Sequence, residues 1–224
     1  MLDCGTGALS ALRQVCDYAA LDAVVITHMH ADHFFDLVPL RYGLTYGPSL
    51  RATPLPLWLP PGGEAVLRTV CSGFGRDRAA DFFAAFELRA YDARTRVEIG
   101  DVTLSFAAVR HYIDAYAVRA HTESATFVYS GDSAPCDALV DLARACDLFL
   151  CEASLGTSGE SEPRGHSSAR EAGEMAAAGN VRALALTHYP AECSIDVLGD
   201  AAASRYGGPI TLADDGMRLT VTGA

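Results

Sequence analysis

The stretch Thr27-His28-Met29-His30-Ala31-Asp32-His33 decides how the rest of this chain is read. It places three imidazoles and one carboxylate within six consecutive positions, directly after the apolar, β-branched run Ala23-Val24-Val25-Ile26. That run reads as a buried strand. Imidazole and carboxylate suit zinc and similar divalent ions. An extended chain alternates sides, so His28 and His30 face one way, and the following turn brings Asp32 and His33 to a second point close by. One short loop therefore seeds two metal sites. The competing reading, a His-rich surface turn that binds nothing, does not explain four ligand-type residues gathered at a strand end.

The chain has 224 residues, half of them apolar, with no low-complexity tract. This excludes a disordered chain, and the length suits one sizeable domain or two small ones, with a single domain over residues 1–224 the expectation. The net charge of −11 repels phosphodiester polymers in general, and no Lys/Arg run supplies a local basic patch. Seven cysteines, an odd number with no Cys-x-x-Cys pair, argue against a disulfide framework or a zinc ribbon and for free thiols in a reducing compartment. No signal peptide opens the chain, and no apolar run reaches ~18 residues. A cytoplasmic protein with no membrane partner is the expectation. Met1-Leu2-Asp3-Cys4-Gly5 reads as the end of a strand with no partner before it, as though first strands were missing. An uncovered sheet edge invites association, and a homodimer is expected.

Along the chain, strands alternate with helices, and ligand-type residues follow strands. A helix or turn is expected after the His cluster, through about Leu40. The Pro-interrupted stretch Thr53–Leu59 reads as an edge strand or loop. Helices are expected from Gly63 to about Val70 and over about Arg76–Leu88, the latter with the apolar face Phe82, Phe83 and Phe86. Strands Thr95–Ile99 and Val102–Val109 flank the tight turn Gly100-Asp101, and the second delivers His111. Tyr116–Ala120 and Thr126–Ser130 read as a hairpin with His121 at its turn, a solvated surface histidine. Thr126–Ser130 leads to Asp132, strand Leu148–Cys151 to Glu152, and strand Ala183–Thr187 to His188. A polar loop, Gly156–Gly165, precedes His166, and a helix over about Ser168–Ala178 takes Ser167 or Ser168 as its N-cap. Ligand-type residues just past strand ends are where α/β folds build sites.

These residues carry a family resemblance. Thr27–His33 resembles the H-x-H-x-D-H signature of the metallo-β-lactamase superfamily, and His111, Gly131-Asp132 and Thr187-His188 follow in that family's order. Cys151-Glu152-Ala153-Ser154 is similar to the His-Glu-Ala-Thr motif of ribonuclease Z, and His166-Ser167-Ser168 to its His-Ser-Thr motif. The match is closer still to the short ribonuclease Z-like proteins of actinobacteria proposed as atypical cyclic-nucleotide phosphodiesterases. The resemblance implies an α/β fold, the αββα sandwich, lacking its first N-terminal strands. It also implies two divalent ions, with zinc as the default and manganese or iron as alternatives. One ion would be held by His28, His30 and His111, the other by Asp32, His33 and His188, with Asp132 bridging. Asp32, Glu152 and His166 are the implied catalytic residues, the last two as a pair that moves a proton to the leaving oxygen. Asp3 is a candidate hydrogen-bond partner for a ligand histidine, and Asp114 and Tyr116 touch substrate or shape the turn after His111.

The implied chemistry is two-metal hydrolysis by a metal-bound hydroxide. A small, cyclic nucleotide is the expected substrate. A tRNA 3′-end endonuclease shares every catalytic residue, but the Gly/Pro-rich basic insertion that grasps tRNA has no counterpart here, since Ala90–Thr103 joins strands directly. Thioester or lactone hydrolysis would use the same metals without His166. A non-catalytic metal-binding or interaction protein is the reading from another class, and the full set of seven candidate ligands argues against it, since loss of catalysis usually leaves gaps in such a set.

Overall fold

Residues 1–48, 51–74 and 82–223 are described in a computed structural model of the protein. Their internal contacts divide the chain into two units, Met1–Tyr91 and Asp92–Ala224.

In the first unit β1 (Val24–Val25), β2 (Leu55–Leu59) and β3 (Phe86–Ala90) form a parallel sheet in that order. β1 is wholly buried, and β2 buries Leu55, Leu57 and Leu59 in alternation. Leu2 forms a parallel bridge to Val25, which brings the first residues alongside β1. Helices α1 (Ala8–Val15), α2 (Ala31–Phe34), α3 (Leu37–Tyr46) and α4 (Gly63–Ser72) belong to the same unit. Cys4, Ile26, Phe34, Leu40, Leu57 and Leu67 share one apolar core.

Two expectations are corrected in this unit. The Pro-containing stretch expected at an edge or in a loop supplies β2, the central strand. Leu55 N–H donates to Ala85 O at 3.0 Å, on the β3 side. Alternation then turns the Pro56 nitrogen toward β1, where pairing begins only at Leu57. The donor that proline lacks is thus missing where no ladder bond is due. The helix expected over 76–88 does not reach its end either, because Phe86–Leu88 lie in β3. Phe86-Glu87-Leu88-Arg89 also reads with period 2, and pairing along β2 overrides the helical spacing of its phenylalanines. Residues 76–81 of that helix lie outside the described residues.

In the second unit seven strands form one sheet in the order β10-β9-β8-β7-β6-β5-β4. They are β4 (Arg96–Ile99), β5 (Val102–Val109), β6 (Ala115–His121), β7 (Thr126–Tyr129), β8 (Leu148–Glu152), β9 (Leu184–Thr187) and β10 (Ile210–Leu212). Pairing is antiparallel from β4 to β7 and parallel from β7 to β10. β5 therefore runs the same way as β7, β8 and β9, and all four end at one edge. The residues expected past those ends, His111, Asp132, Glu152 and His188, leave the sheet on that edge. β6 runs oppositely and carries His121 to the other one.

Helices α5 (Asp137–Ala143), α6 (Ala169–Ala178) and α7 (Ile195–Ala203) complete the second unit. α6 opens on a capping box: Ser168 caps the Glu171 N–H while the Glu171 carboxylate accepts from Ser168 N–H. α6 and α7 approach so closely that a Cβ at Gly173 would lie 2.4 Å from the Ala202 carbonyl oxygen, so only glycine fits there. Phe149, Cys151, Leu139, Met175, Leu184 and Leu198 belong to the core of this unit.

Candidate metal centre

In the first unit the ligand run follows β1 without a break. His30 is extended and caps α2, which carries Asp32 and His33. Thr27 and His28 are fully buried, His33 nearly so, while Asp32 is exposed. The segment around Asp3 is laid against α2 by backbone bonds from Cys4 N–H to His33 O (2.8 Å) and from Asp36 N–H to Cys4 O (2.9 Å). Gly5 makes this possible, since a Cβ there would meet the Asp32 carbonyl oxygen at 1.6 Å.

Asp3 organises the run. Its carboxylate accepts from Thr27 N–H (2.7 Å), from the Thr27 hydroxyl (2.9 Å) and from His33 Nδ1 (2.7 Å). His28 Nδ1 lies 3.1 Å from the same Thr27 hydroxyl. That hydroxyl has one proton and gives it to an acceptor-only carboxylate, so the His28 ring must donate to it from Nδ1. The network thereby places the lone pairs of both His28 and His33 on Nε2, the form in which imidazole binds a metal. His28 Nε2 and His30 Nδ1 stand 3.1 Å apart, and His33 Nε2 is 3.6 Å from Asp32 Oδ2. Asp3 itself has a left-handed backbone (φ 55), an uncommon conformation for a non-glycine residue, of the kind that concentrates at functional sites.

In the second unit Asp132, His166 and His188 each offer a donor atom within 4.8 Å of the others. Asp132 is buried, and its Oδ1 lies 3.4 Å from His188 Nδ1. His188 is a second left-handed non-glycine residue (φ 51), and Ser154 Oγ lies 2.8 Å from its Nδ1. His111 Nδ1 donates to the Gly165 carbonyl at 2.7 Å, which leaves its lone pair on Nε2. Nitrogen and oxygen donors in fixed tautomers are the chemistry of a divalent-ion site, and both units fit that group. The ordering bonds come from Asp3, Thr27, Ser154 and the Gly165 carbonyl.

Glu152 and His166 meet as the motif comparison implies: His166 Nδ1 is 2.9 Å from Glu152 Oε1. The Glu152 carboxylate also accepts from Ser133 N–H (2.9 Å) and Ser154 N–H (2.8 Å), so it is held on three sides. The bond from Glu152 raises the His166 pKa above the ordinary imidazole value, against burial, which pulls it down. His166 thus binds a proton more readily than a free imidazole, and with Nδ1 engaged by Glu152 that proton is presented from Nε2.

The profile of the Beta-lactamase superfamily domain matches residues 1–189. The chain belongs to the β-lactamase superfamily. Among its relatives in that superfamily, an uncharacterized protein of Mycobacterium leprae (strain TN) is 35% identical over 211 residues, covering 94% of this chain and 74% of its own length. A ribonuclease Z of Mycobacterium marinum is 29% identical over 245 residues, covering 99% of this chain and 88% of its own. The crystal structure of the metallo-β-lactamase fold protein YhfI of Bacillus subtilis superimposes with a TM-score of 0.83 at 25% identity, covering 96% of this chain and 85% of the other. YhfI is described as a probable metallo-hydrolase. The α/β architecture is thus that of the metallo-β-lactamase fold, and the superfamily together with the His/Asp donors supports a metal-dependent hydrolase. Among the described residues no helix is long and apolar enough to cross a membrane.

Two functional candidates went unread in the sequence. Tyr112 and Glu160 flank His166 through bonds to the Gly156–Gly165 loop. Contacts from an irregular loop have no period in sequence, so nothing local to either residue marks the pairing. His121, read as a surface residue, is exposed, and its ring nitrogen Nδ1 lies 3.0 Å from Thr126 Oγ1.

Proposed function

We propose that this protein is a two-metal phosphodiesterase that cleaves small, cyclic nucleotides, with His28, His30, Asp32, His33, His111, Asp132 and His188 as the ligands and zinc as the ion. The Glu152–His166 pair, 2.9 Å apart, carries the reading. Hydrolysis of a thioester, whose thiolate leaves unaided, has little need of a separate proton donor, whereas an alkoxide leaving from phosphorus does. Divalent ions, when bound, supply charge neutralisation at the phosphate and a water of lowered pKa. The chain's own residues do the rest: Ser154 orients His188, Asp3 fixes two imidazole tautomers, and His166 gives its Nε2 proton to the departing ribose oxygen while Glu152 steadies the cation.

The ribonuclease Z relative favours tRNA as the competing substrate. Against it stand the net charge of −11 and the five residues, 91–95, that separate β3 from β4, too few for a grasping arm. The deciding experiment is turnover by the metal-loaded protein and its His166→Ala variant on cyclic AMP, bis(p-nitrophenyl) phosphate, precursor tRNA and a thioester. The expected result is cyclic AMP hydrolysis that slows ~10²–10⁴-fold in the variant with its metal content intact. Preference for tRNA or the thioester rejects the substrate. Loss of metal from His166→Ala makes His166 a ligand and removes its role as acid.

A further inference from the structure

We propose that Tyr112 is the platform on which the base of the nucleotide stacks, held in position by Glu160; this rests on the phosphodiesterase reading above. Tyr112 follows His111 on the loop after β5. Half of its surface is open to solvent, yet it is fastened on two sides. Its hydroxyl donates to Glu160 Oε1. The same carboxylate, through Oε2, accepts from Gly165 N–H (2.9 Å) and His166 N–H (3.2 Å). The ring also lies directly on the backbone of Gly165, where a Cβ would approach its atoms to 2.5–2.7 Å.

Such an arrangement is costly for packing alone. Ordering an exposed aromatic gives up rotamer entropy without burying the ring. It does place a π-face next to the chemistry: the Tyr112 ring centroid is 5.6 Å from that of His166 and 5.0 Å from that of His111. Beside it is a cavity of about 380 Å³ lined by residues 108–116, with Tyr112 and the exposed Ile113 among its apolar walls. That volume is within the range of small-ligand sites, ~300–1,000 Å³. A flat ligand group reaching this cavity from a phosphate beside His166 is one joined to that phosphate by a short linker, as a nucleobase is by its ribose. Every base has a π-face, so a platform of this kind accepts purines and pyrimidines alike.

The test compares Tyr112→Ala and Tyr112→Phe on cyclic AMP and on a ribose 3′,5′-cyclic phosphate that has no base. It is paired with quenching of 1,N6-ethenoadenosine monophosphate fluorescence on binding to the metal-loaded protein. For Tyr112→Ala we expect KM for cyclic AMP to rise roughly 5- to 100-fold with little change in kcat, as loss of base stacking requires. The ratio of kcat/KM for cyclic AMP to that for the baseless analogue falls by a similar factor. Quenching is lost, and Tyr112→Phe, which keeps the ring but not its bond to Glu160, restores both readouts only in part. An unchanged substrate ratio, or equal quenching with Tyr112→Ala, overturns the platform. A fall in kcat on both substrates overturns it as well, since Tyr112 then positions His166. Failure of the wild type to hydrolyse cyclic AMP rejects the phosphodiesterase reading separately; quenching that depends on Tyr112 still upholds the platform, and absence of quenching rejects it too.

Discussion

At the scale of single residues, Asp3 shows how much of a metal site lies behind its ligands. One carboxylate takes bonds from Thr27 twice and from His33, and through the Thr27 hydroxyl it sets the tautomer of His28. Asp3→Ala leaves the buried Thr27 N–H without that acceptor, removes the orienting bond of His33, and frees the Thr27 hydroxyl that sets the tautomer of His28. It should weaken metal binding by ~10–100-fold, the usual penalty for losing such a partner, and destabilise the fold by about 1–3 kcal/mol. Chelator competition measures the first and urea unfolding of the metal-free protein the second. Undiminished metal affinity would show that Asp3 serves the fold alone. Much of this was legible in sequence. Thr27–His33 announces its chemistry by residue type and spacing, and Asp3 stands out as a carboxylate at a strand end. Glu160 and Tyr112 do not stand out, because their meeting depends on how an irregular loop of serines, glycines and acids is laid down.

At the scale of elements, legibility followed how many templates a segment satisfied. β5 and α6 each satisfy one and appear where the sequence places them. Phe82–Leu88 satisfies two, and the choice was made by partners distant in sequence. Pro56 looked disqualifying until the direction of its nitrogen within β2 was known. The start of α6 matters most for the site, because it follows directly from His166-Ser167. Glu171 closes the capping box and also accepts two bonds from Arg164, at 2.8 and 2.9 Å. Burial alone would raise the Glu171 pKa. The bonds from Ser168 and Arg164 outweigh it and hold the carboxyl below its ordinary value. A carboxyl whose folded pKa is depressed contributes stability that is fully present above its unfolded value, ~4.3, and is lost as pH falls through the folded one. Glu171→Gln should therefore cost about 1–2 kcal/mol at pH 7 by urea unfolding. The gap between variant and wild type should narrow steadily below about pH 4.5. A gap that stays constant down to pH 3 would mean that the carboxylate charge plays no part in the cap.

At the scale of the whole molecule, strand direction sorts the strand-end histidines of the second unit. β5, β7, β8 and β9 run together and send His111, Asp132, Glu152 and His188 to one edge, while β6 sends His121 to the other. A strand count from sequence does not contain this, since it requires knowing where pairing changes from antiparallel to parallel. The proposed site also concentrates carboxylates in a chain that already carries a net charge of −11. Bound divalent cations should relieve that repulsion and, by binding the folded form alone, stabilise it by RT ln(1 + [L]/Kd), about 2.7 kcal/mol at a hundredfold excess over Kd. For a chain of this size each kcal/mol moves the unfolding midpoint by roughly 2–4 °C. Calorimetry in chelator and in graded free zinc should accordingly separate the midpoints by about 5–10 °C, the shift growing with the logarithm of free zinc. Asp132→Ala, which removes the proposed bridging ligand, should lose most of that shift while its chelated midpoint stays near that of the wild type. Identical midpoints in chelator, zinc, manganese and iron would reject the metal centre, and with it every catalytic role assigned from it.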